Sequence, residues 1–213
     1  MGKTRVMIVD DQRLARQYFE LVIAQSDRYE IVHLVESATF ADTYVLRNGV
    51  DLVLMDVLMA DGSSSFDAAE RIKRLEPRVK VIMVTSIPEA SWMDEARRRG
   101  VDGFWYKESD AATLTDVMDR VIAGESVYPV APPSTMVGRA SSADLTAREV
   151  EIMRALVDGL SNEEIAERLC LSASTVKTHM RHLLEKTGCE NRTQLALAAR
   201  LSGVVVGSSE LGN

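Results

Sequence analysis

Five residues of the chain could together carry out phosphoryl chemistry. Asp10 and Asp11 follow one apolar run, and Asp56, Thr85 and Lys107 each end or follow another. Three clustered carboxylates repel one another, since two unit charges about 4 Å apart cost on the order of 4 kcal/mol at an effective dielectric constant of 20. Such a cluster requires a cation, a neighbouring lysine or raised pKa values. Carboxylate and backbone oxygens with open water positions favour Mg²⁺ over zinc.

These residue types suit a phosphoryl acceptor. With Mg²⁺ and Lys107 neutralising charge, Asp56 could attack a phosphoryl group and become an acyl phosphate. The Thr85 hydroxyl would then bond one phosphoryl oxygen while Lys107 pairs with another. A single carboxylate at a strand end is usually a solvated loop residue, so the prediction depends on all five positions occurring together.

The elements that must position these residues alternate along the first half of the chain. Short apolar runs cover 6–9, 31–35, 52–55, 79–84 and 101–106, and helix-length segments cover 12–25, 38–48, 65–75, 89–99 and 110–123. Nearly continuous apolarity is typical of strands buried on both faces of a parallel sheet. Strand–helix alternation predicts a doubly wound α/β domain with five parallel strands, whose functional groups lie at the carboxyl edge.

The second half is predicted to be a small all-α domain. Three of the five prolines lie between residues 124 and 144, a composition typical of a linker. Capping boxes at Thr146–Glu149 and Ser161–Glu164 then mark two helix starts. Helices are expected near 147–158, 162–169, 173–187 and 191–201.

The segment 173–187 has one polar and one apolar face. At 100° per residue, Ser174, Lys177, Thr178 and Arg181 fall within an arc of about 100°. A helix that enters the DNA major groove requires such long cationic side chains, backed by an apolar face and braced by a shorter helix. Lysine and arginine can pair with guanine, and threonine can contact a base or the thymine methyl group. Alone, the pattern also fits an ordinary solvated helix.

Residues 1–124 resemble a bacterial response-regulator receiver domain, which has a flavodoxin-like fold. The resemblance is carried by four motifs, Val9-Asp10-Asp11, Leu54-Met55-Asp56, Val84-Thr85-Ser86 and Tyr106-Lys107. It implies phosphoryl transfer from a sensor histidine kinase to Asp56. It also implies Mg²⁺ ligation by Asp10, Asp11, Asp56 and the main-chain carbonyl of Leu58. Thr85 and Phe104 would be the coupled switch residues.

Three positions depart from the receiver pattern. Ala60 and Ser64 replace a usual proline and glycine in the loop after Asp56, which leaves the shape of that loop open. Glu108 follows Lys107 where proline is common, which puts the usual cis peptide in doubt because a non-proline cis bond costs about 2.5–4 kcal/mol. None of these changes removes a chemical group. They keep open an alternative, a regulator of the same architecture that acts independently of phosphorylation.

A second alternative is a phosphatase with an aspartate nucleophile. Enzymes of the haloacid-dehalogenase type also use a strand-end aspartate with Mg²⁺, but they need an acid two residues later to protonate the leaving group. Leu58 occupies that position here and cannot do so. The chain is therefore expected to be a switch and not an enzyme.

Residues from about 144 to 203 resemble the LuxR/NarL/FixJ-type helix-turn-helix domain. The matching segments are 145–149, 159–166, 172–179, 186–188 and Arg192. The resemblance implies that Lys177, Thr178 and Arg181 face the bases of double-stranded DNA. Residues expected to contact or lie near phosphates are Thr175, Asn162, Lys186 and Arg192. The last helix would form the contact of a homodimer on an inverted-repeat promoter site.

Charge and composition agree with a soluble regulator of transcription. The net charge is −7, but Lys177, Arg181, Lys186 and Arg192 form a local basic stretch that can engage phosphates. Neither a secretory signal nor a membrane span is evident, so a cytoplasmic location is expected. The domains are predicted as a receiver at 1–124, a linker at 125–143, a DNA-binding domain at 144–205 and a tail at 206–213.

Overall fold

The computed structural model describes residues 2–89, 91–107 and 113–205. The chain forms two compact units that divide near Ala131 and Pro132. Glu108 and the tail at 206–213 lie outside the described residues, so the expectations about the Lys107–Glu108 peptide and the tail are not examined by the structure.

The first unit has a five-stranded parallel sheet with helices on both sides, as predicted. Its strands are β1 (Thr4–Val9), β2 (Tyr29–Val35), β3 (Leu52–Asp56), β4 (Lys80–Thr85) and β5 (Gly103–Tyr106). Its helices are α1 (Arg13–Ala24), α2 (Ala41–Asn48), α3 (Ser65–Leu75), α4 (Ser91–Arg98) and α5 (Leu114–Ile122). The strand order β2-β1-β3-β4-β5 is the flavodoxin-like order, which confirms the predicted fold class.

The interior of this unit explains why its strands are so apolar. Every residue of β3 is buried, and so are four of the six residues of β1 and five of the six residues of β4. Amphipathic helices cover the sheet: Phe19 and Ile23 of α1 and Val117 and Val121 of α5 belong to the same buried cluster as the central strands. At the usual 25 cal/mol per Å² of buried apolar area, this cluster is the main source of stability for the unit.

Strand register aligns the polar residues at one edge of the sheet. Val9 pairs with Met55, so the next residues along β1 and β3 leave the sheet side by side. Asp56 pairs with Val84, and Thr85 pairs with Tyr106. The residues named as candidates from the ends of β1, β3, β4 and β5 therefore share one edge, as the alternating pattern predicts.

The described part of the second unit, which ends at residue 205, contains four α-helices. They are α6 (Ala147–Val157), α7 (Asn162–Arg168), α8 (Ala173–Thr187) and α9 (Arg192–Ser202). The capping boxes predicted at the starts of α6 and α7 are both present, with each N-cap hydroxyl and N3 glutamate reciprocally bonded. Each box satisfies two backbone donors that the helix itself cannot satisfy. Val176, Met180 and Leu183 of α8 pack into the shared core.

Much of the segment predicted as linker is folded. Strands β6 (Met136–Val137) and β7 (Ala140–Ser141) form an antiparallel hairpin, and a short 3-10 helix follows at Ser142–Asp144. The hairpin turn fits against the end of α8, where a Cβ on Gly138 would lie 2.3 Å from the Thr187 carbonyl oxygen. Composition could not reveal this because only Val137 of the hairpin is fully buried.

Candidate functional site

Three carboxylates meet at the carboxyl edge of the sheet. One oxygen from each of Asp10, Asp11 and Asp56 lies within 4.8 Å of the others. Asp10 and Asp56 are buried, with relative exposures of 0% and 5%. The Asp10 carboxylate accepts from the Gln12 backbone N–H at 2.9 Å, and its main-chain carbonyl accepts from Arg16 at 2.7 Å. The sequence prediction of a clustered acidic site matches this arrangement.

Lys107 supplies the positive charge of the cluster. Its Nζ lies 2.9 Å from Asp10 Oδ2 and 3.4 Å from Asp56 Oδ1. The backbone N–H of Lys107 donates to the Thr85 carbonyl at 2.8 Å, which fixes the start of this side chain at the end of β5. One ammonium group thus bridges two carboxylates whose charges would otherwise repel.

The electrostatics of Asp56 are set mainly by burial. Desolvation raises the pKa of Asp56 to about 7, the charge of Lys107 opposes this rise, and the charge of Asp10 adds to it. The Val57 backbone N–H also lowers this pKa. Because burial disfavours the ionised form of Asp56, an additional cation at its oxygens would stabilise that form.

The free oxygen of Asp11 supports a metal at this position. Asp11 Oδ2 accepts from the Ala60 N–H at 2.8 Å. Asp11 Oδ1 is buried and has no hydrogen-bond partner among the described residues. A buried oxygen acceptor without a donor costs free energy. A hard divalent cation such as Mg²⁺ prefers oxygen ligands and would satisfy this carboxylate oxygen. The donor set therefore fits Mg²⁺.

The loop after β3 shows how the departures from the receiver pattern are accommodated. Gly62 has a φ of +74°, so the turn that the sequence left open is made there. Ser64 has an extended backbone and serves as the N-cap of α3, accepting from the Asp67 N–H at 3.2 Å. Ala60 retains its backbone N–H, which a proline would lack, and donates it to Asp11. The loop therefore braces the acidic cluster.

The two residues predicted as a switch are both buried, Thr85 at the end of β4 and Phe104 within β5. Thr85 ends β4 and is 2% exposed, and Phe104 lies in β5 and is 1% exposed. The Phe104 ring contacts Tyr106, with ring centroids 5.2 Å apart, and Tyr128, with centroids 6.3 Å apart. Tyr128 was not predicted from the sequence, because nothing in its neighbourhood indicates a contact with β5.

The helices α7 and α8 form the helix-turn-helix. Ser172 caps α8 by accepting from the Thr175 N–H, and Thr178 Oγ1 donates to the Ser174 carbonyl at 3.0 Å. Lys177, Thr178 and Arg181, the expected base-facing residues, are all exposed on one side of α8. Arg181 Nη1 lies 3.5 Å from Glu185 Oε1, a distance that leaves this surface pair weak.

The expected phosphate contacts fall into two groups. Thr175 is half-buried near the start of α8, and Asn162 Oδ1 is buried without a partner in the described part of the chain. Lys186 and Arg192 instead bond protein groups. Lys186 Nζ donates to Glu149 Oε2 at 2.8 Å, and Arg192 donates to the Leu160 carbonyl at 2.7 Å. Both cations therefore have a structural role that the basic pattern did not indicate.

Two further features of α8 and α9 bear on nucleic-acid binding and assembly. His182, which the sequence pattern does not mark as a candidate, is exposed with its Nε2 3.2 Å from Arg181 Nη2. On α9, Leu195 and Ala199 are buried, while Leu197 and Leu201 are 57% and 79% exposed. The exposed leucines form an apolar stripe on the helix that was expected to form a homodimer contact.

Comparisons with known proteins agree with this architecture. Residues 6–119 match the response regulator receiver domain, and residues 143–199 match the bacterial regulatory proteins of the luxR family. Response regulator protein VraR of Staphylococcus epidermidis is 33% identical over 200 residues, covering 92% of this chain and 95% of VraR. The uncharacterized transcriptional regulatory protein YxjL of Bacillus subtilis is 31% identical over 217 residues, covering 95% of this chain and 98% of YxjL.

A solved structure shares the fold over nearly the whole chain. RcsB from Salmonella enterica serovar Typhimurium, bound to the promoter rprA, has a TM-score of 0.60 and 20% identity. The match covers 95% of this chain and 100% of RcsB. At this identity the likeness concerns the fold alone.

The fold, the acidic edge and the helix-turn-helix define a two-domain regulator of transcription. The chain belongs to the response-regulator family, with a receiver domain followed by a LuxR-type DNA-binding domain. This is a family of transcriptional regulators and not of enzymes, as the sequence predicts. Among the described residues, none of the helices has the length and apolarity needed to cross a membrane.

Proposed function

We propose that Asp56 accepts a phosphoryl group from a sensor histidine kinase and that this modification controls DNA binding by the second domain. An oxygen of Asp56 attacks the phosphorus atom of a phosphohistidine. The new P–O bond forms as the P–N bond breaks, and the imidazole takes up a proton as it leaves. The observation that carries this proposal is the convergence of Asp56, Lys107 and two further carboxylates at one buried edge.

The residues around Asp56 would each have a distinct task. Asp10, Asp11, Asp56 and the Leu58 carbonyl would hold Mg²⁺, which when bound neutralises charge on the phosphoryl oxygens. Lys107, already 3.4 Å from Asp56, would pair with one phosphoryl oxygen and the Thr85 hydroxyl would donate to another. Leu58 offers no carboxylate that could act as a general base on an attacking water, so the acyl phosphate would persist as a signal.

The modification would act through Thr85 and Phe104. Phosphorylation takes Asp56 from about −1 to about −2 and adds new acceptors, so Thr85 is drawn toward the site and Phe104 rearranges. To move a two-state switch from mostly off to mostly on requires about 5.5 kcal/mol of differential stabilisation. Dimerisation through the altered receiver surface and α9 would place two α8 helices on an inverted repeat of half-sites about one helical turn apart.

The first test is the mass of the intact protein after incubation with Mg²⁺ and acetyl phosphate. One phosphoryl adduct is expected in the wild type and none in Asp56→Asn, which keeps the size of the side chain. Wild-type protein that stays folded and unmodified, with the small donor and with purified histidine kinases alike, would contradict the proposal.

The second test concerns the DNA. The donor-treated protein is used to select duplexes from a random-sequence pool, and enrichment of an inverted repeat is expected. A pool that remains unenriched, or a preferred site without two-fold symmetry, would contradict the dimeric mode of recognition. The enriched duplex, called here the selected duplex, then serves as the probe for affinity measurements.

A further inference from the structure

After α5 the chain returns to the edge of the sheet beside β5. The Phe104 N–H donates to the Val127 carbonyl at 2.8 Å, and the Val127 N–H donates to the Asp102 carbonyl at 3.0 Å. Gly103 forms a parallel bridge with Val127, and a Cβ at Gly103 would lie 3.3 Å from the Val127 carbonyl oxygen. The first residues of the segment that leads to the DNA-binding domain are therefore bonded to the strand that carries Phe104.

Tyr128 is held over Phe104 by contacts from three places in the receiver. Its ring stacks on Phe104 with an interplanar angle of 25°, and the Cζ atom of Arg97 lies 4.4 Å from the centre of the Tyr128 ring. Its hydroxyl donates to the Val101 carbonyl at 2.9 Å. Arg97 belongs to α4, where its guanidinium also bonds Asp94 at 3.1 Å. Tyr128 thus joins α4, the α4–β5 connection and β5.

Val127, which precedes Tyr128, shows that the contact between Tyr128 and Phe104 lies on one side of β5. Val127 points into the large apolar cluster of the sheet, together with Trp105. Phe104, Tyr106 and Tyr128 form a separate line of aromatic contacts. Interior side chains are close-packed, so a Phe104 ring between two other rings cannot reorient without changing its contact with Tyr128.

We propose that Tyr128 is the coupling residue through which rearrangement of Phe104 reaches the segment leading to the DNA-binding domain. This inference rests on the proposed function, because it requires that phosphorylation of Asp56 moves Phe104. Tyr128 touches neither the carboxylates nor Lys107 in the contacts described above, so it acts through Phe104 and leaves phosphoryl acceptance intact. Arg97 extends the same stack to α4, so the helix and the segment respond together.

The test compares variants that keep or remove the stack. Tyr128→Phe keeps the aromatic ring and loses the hydrogen bond to the Val101 carbonyl. Tyr128→Leu keeps an apolar side chain but loses both the ring and that hydrogen bond. Val130→Ala is the matched control, because Val130 is fully exposed two residues further along. For each full-length protein the affinity for the selected duplex is measured with and without acetyl phosphate, and the extent of phosphorylation is measured by intact mass.

The expected result separates coupling from simple packing. Tyr128→Leu is phosphorylated like the wild type, but its ratio of affinities with and without donor falls at least about fivefold. Tyr128→Phe and Val130→Ala keep most of the wild-type ratio. A residue that only packs would lower both affinities together and leave their ratio unchanged. A Tyr128→Leu ratio equal to that of the wild type would overturn the inference.

A second readout observes Tyr128 directly. The chain has five tyrosines, so incorporation of 3-fluorotyrosine gives five fluorine resonances, and that of Tyr128 is identified by its loss in Tyr128→Phe. The Tyr128 resonance is expected to shift when the protein is phosphorylated and to stay in place in donor-treated Asp56→Asn. A resonance that does not move in fully phosphorylated protein contradicts this inference alone. A wild type that accepts no phosphoryl group contradicts the proposed function, and the inference with it.

Discussion

Lys186 Nζ donates to Glu149 Oε2 at 2.8 Å and so joins the last turn of α8 to the first turn of α6. The same Glu149 oxygen accepts from the backbone N–H and the hydroxyl of Thr146. Burial acts to raise the pKa of Glu149, but the bonds from Lys186 and Thr146 outweigh it and hold this pKa below its usual value. The glutamate of the α6 capping box is thus also bonded to the last turn of α8.

Replacement of Glu149 tests this anchor. Glu149→Ala removes the capping box and leaves the Lys186 ammonium without its carboxylate, so the free energy of unfolding of the second domain should fall by about 2 kcal/mol. Urea unfolding followed by far-ultraviolet circular dichroism measures this loss. Glu167→Ala, which removes an exposed glutamate from α7, is the control and should change stability little.

The two lysines of α8 are expected to differ in how they affect DNA binding. Lys177 is exposed on the polar face of α8, which is proposed to contact DNA, so Lys177→Ala should weaken binding to the selected duplex. If it contacts a phosphate, the slope of log affinity against log salt falls by about 1. Lys186→Ala should instead lower stability and leave this slope close to that of the wild type. Equal losses of slope in the two variants would show that Lys186 reaches the DNA despite its bond to Glu149.

The acidic cluster should destabilise the metal-free receiver at high pH. The pKa of Asp56 is raised to about 7 from 3.8, so the folded state retains a proton that the unfolded state releases, and stability falls as pH rises between these values. Asp56→Asn removes this cost and should raise the free energy of unfolding by about 2–4 kcal/mol at about pH 8, with little gain near pH 4.

Tryptophan fluorescence reports this transition, because Trp92 and Trp105 are the only tryptophans and both lie in the first unit. Unfolding is measured in urea with a chelator present. Addition of Mg²⁺ should then stabilise the wild type more than Asp56→Asn. A gain from Asp56→Asn that is the same at both pH values would contradict the account of this cluster.

Cys170 lies in the turn between α7 and α8 with a φ of +54°, the left-handed region that favours glycine. An L-residue in this region costs roughly 1–2 kcal/mol, so Cys170→Gly should stabilise the second domain by about 1 kcal/mol. Cys170→Ala retains the Cβ and should change stability little. The comparison uses urea unfolding by circular dichroism, and equal stability of the two variants would indicate that the turn is not strained.

Prediction from sequence succeeds where one local pattern determines the outcome. Apolar runs give the five strands, and the rule that parallel strands end at one edge brings Asp10, Asp56 and Lys107 together. Capping boxes locate the starts of α6 and α7 because their residues lie three positions apart.

Prediction from sequence is incomplete where the bonding partners of a side chain are distant along the chain, or where the path of the backbone determines which residues meet. Lys186 bonds a glutamate 37 positions away, a partner that its charge and its neighbours in the sequence do not indicate. The hairpin at 136–141 has too few apolar residues to stand out, and its anchor is Arg139, whose side chain donates to the Glu185 carbonyl at 2.9 Å. The contact of Tyr128 with Phe104 similarly depends on the return of the chain to β5.

The proposed function requires that a phosphoryl group on Asp56 strengthens DNA binding. The most direct measurement is a titration of the selected duplex with wild-type protein and with Asp56→Asn, each with and without acetyl phosphate and Mg²⁺. Phosphorylation is expected to raise the affinity of the wild type at least about fivefold and to leave that of Asp56→Asn unchanged. Equal affinities of phosphorylated and unphosphorylated wild-type protein would contradict the account, and would favour a regulator of this architecture that acts independently of phosphorylation.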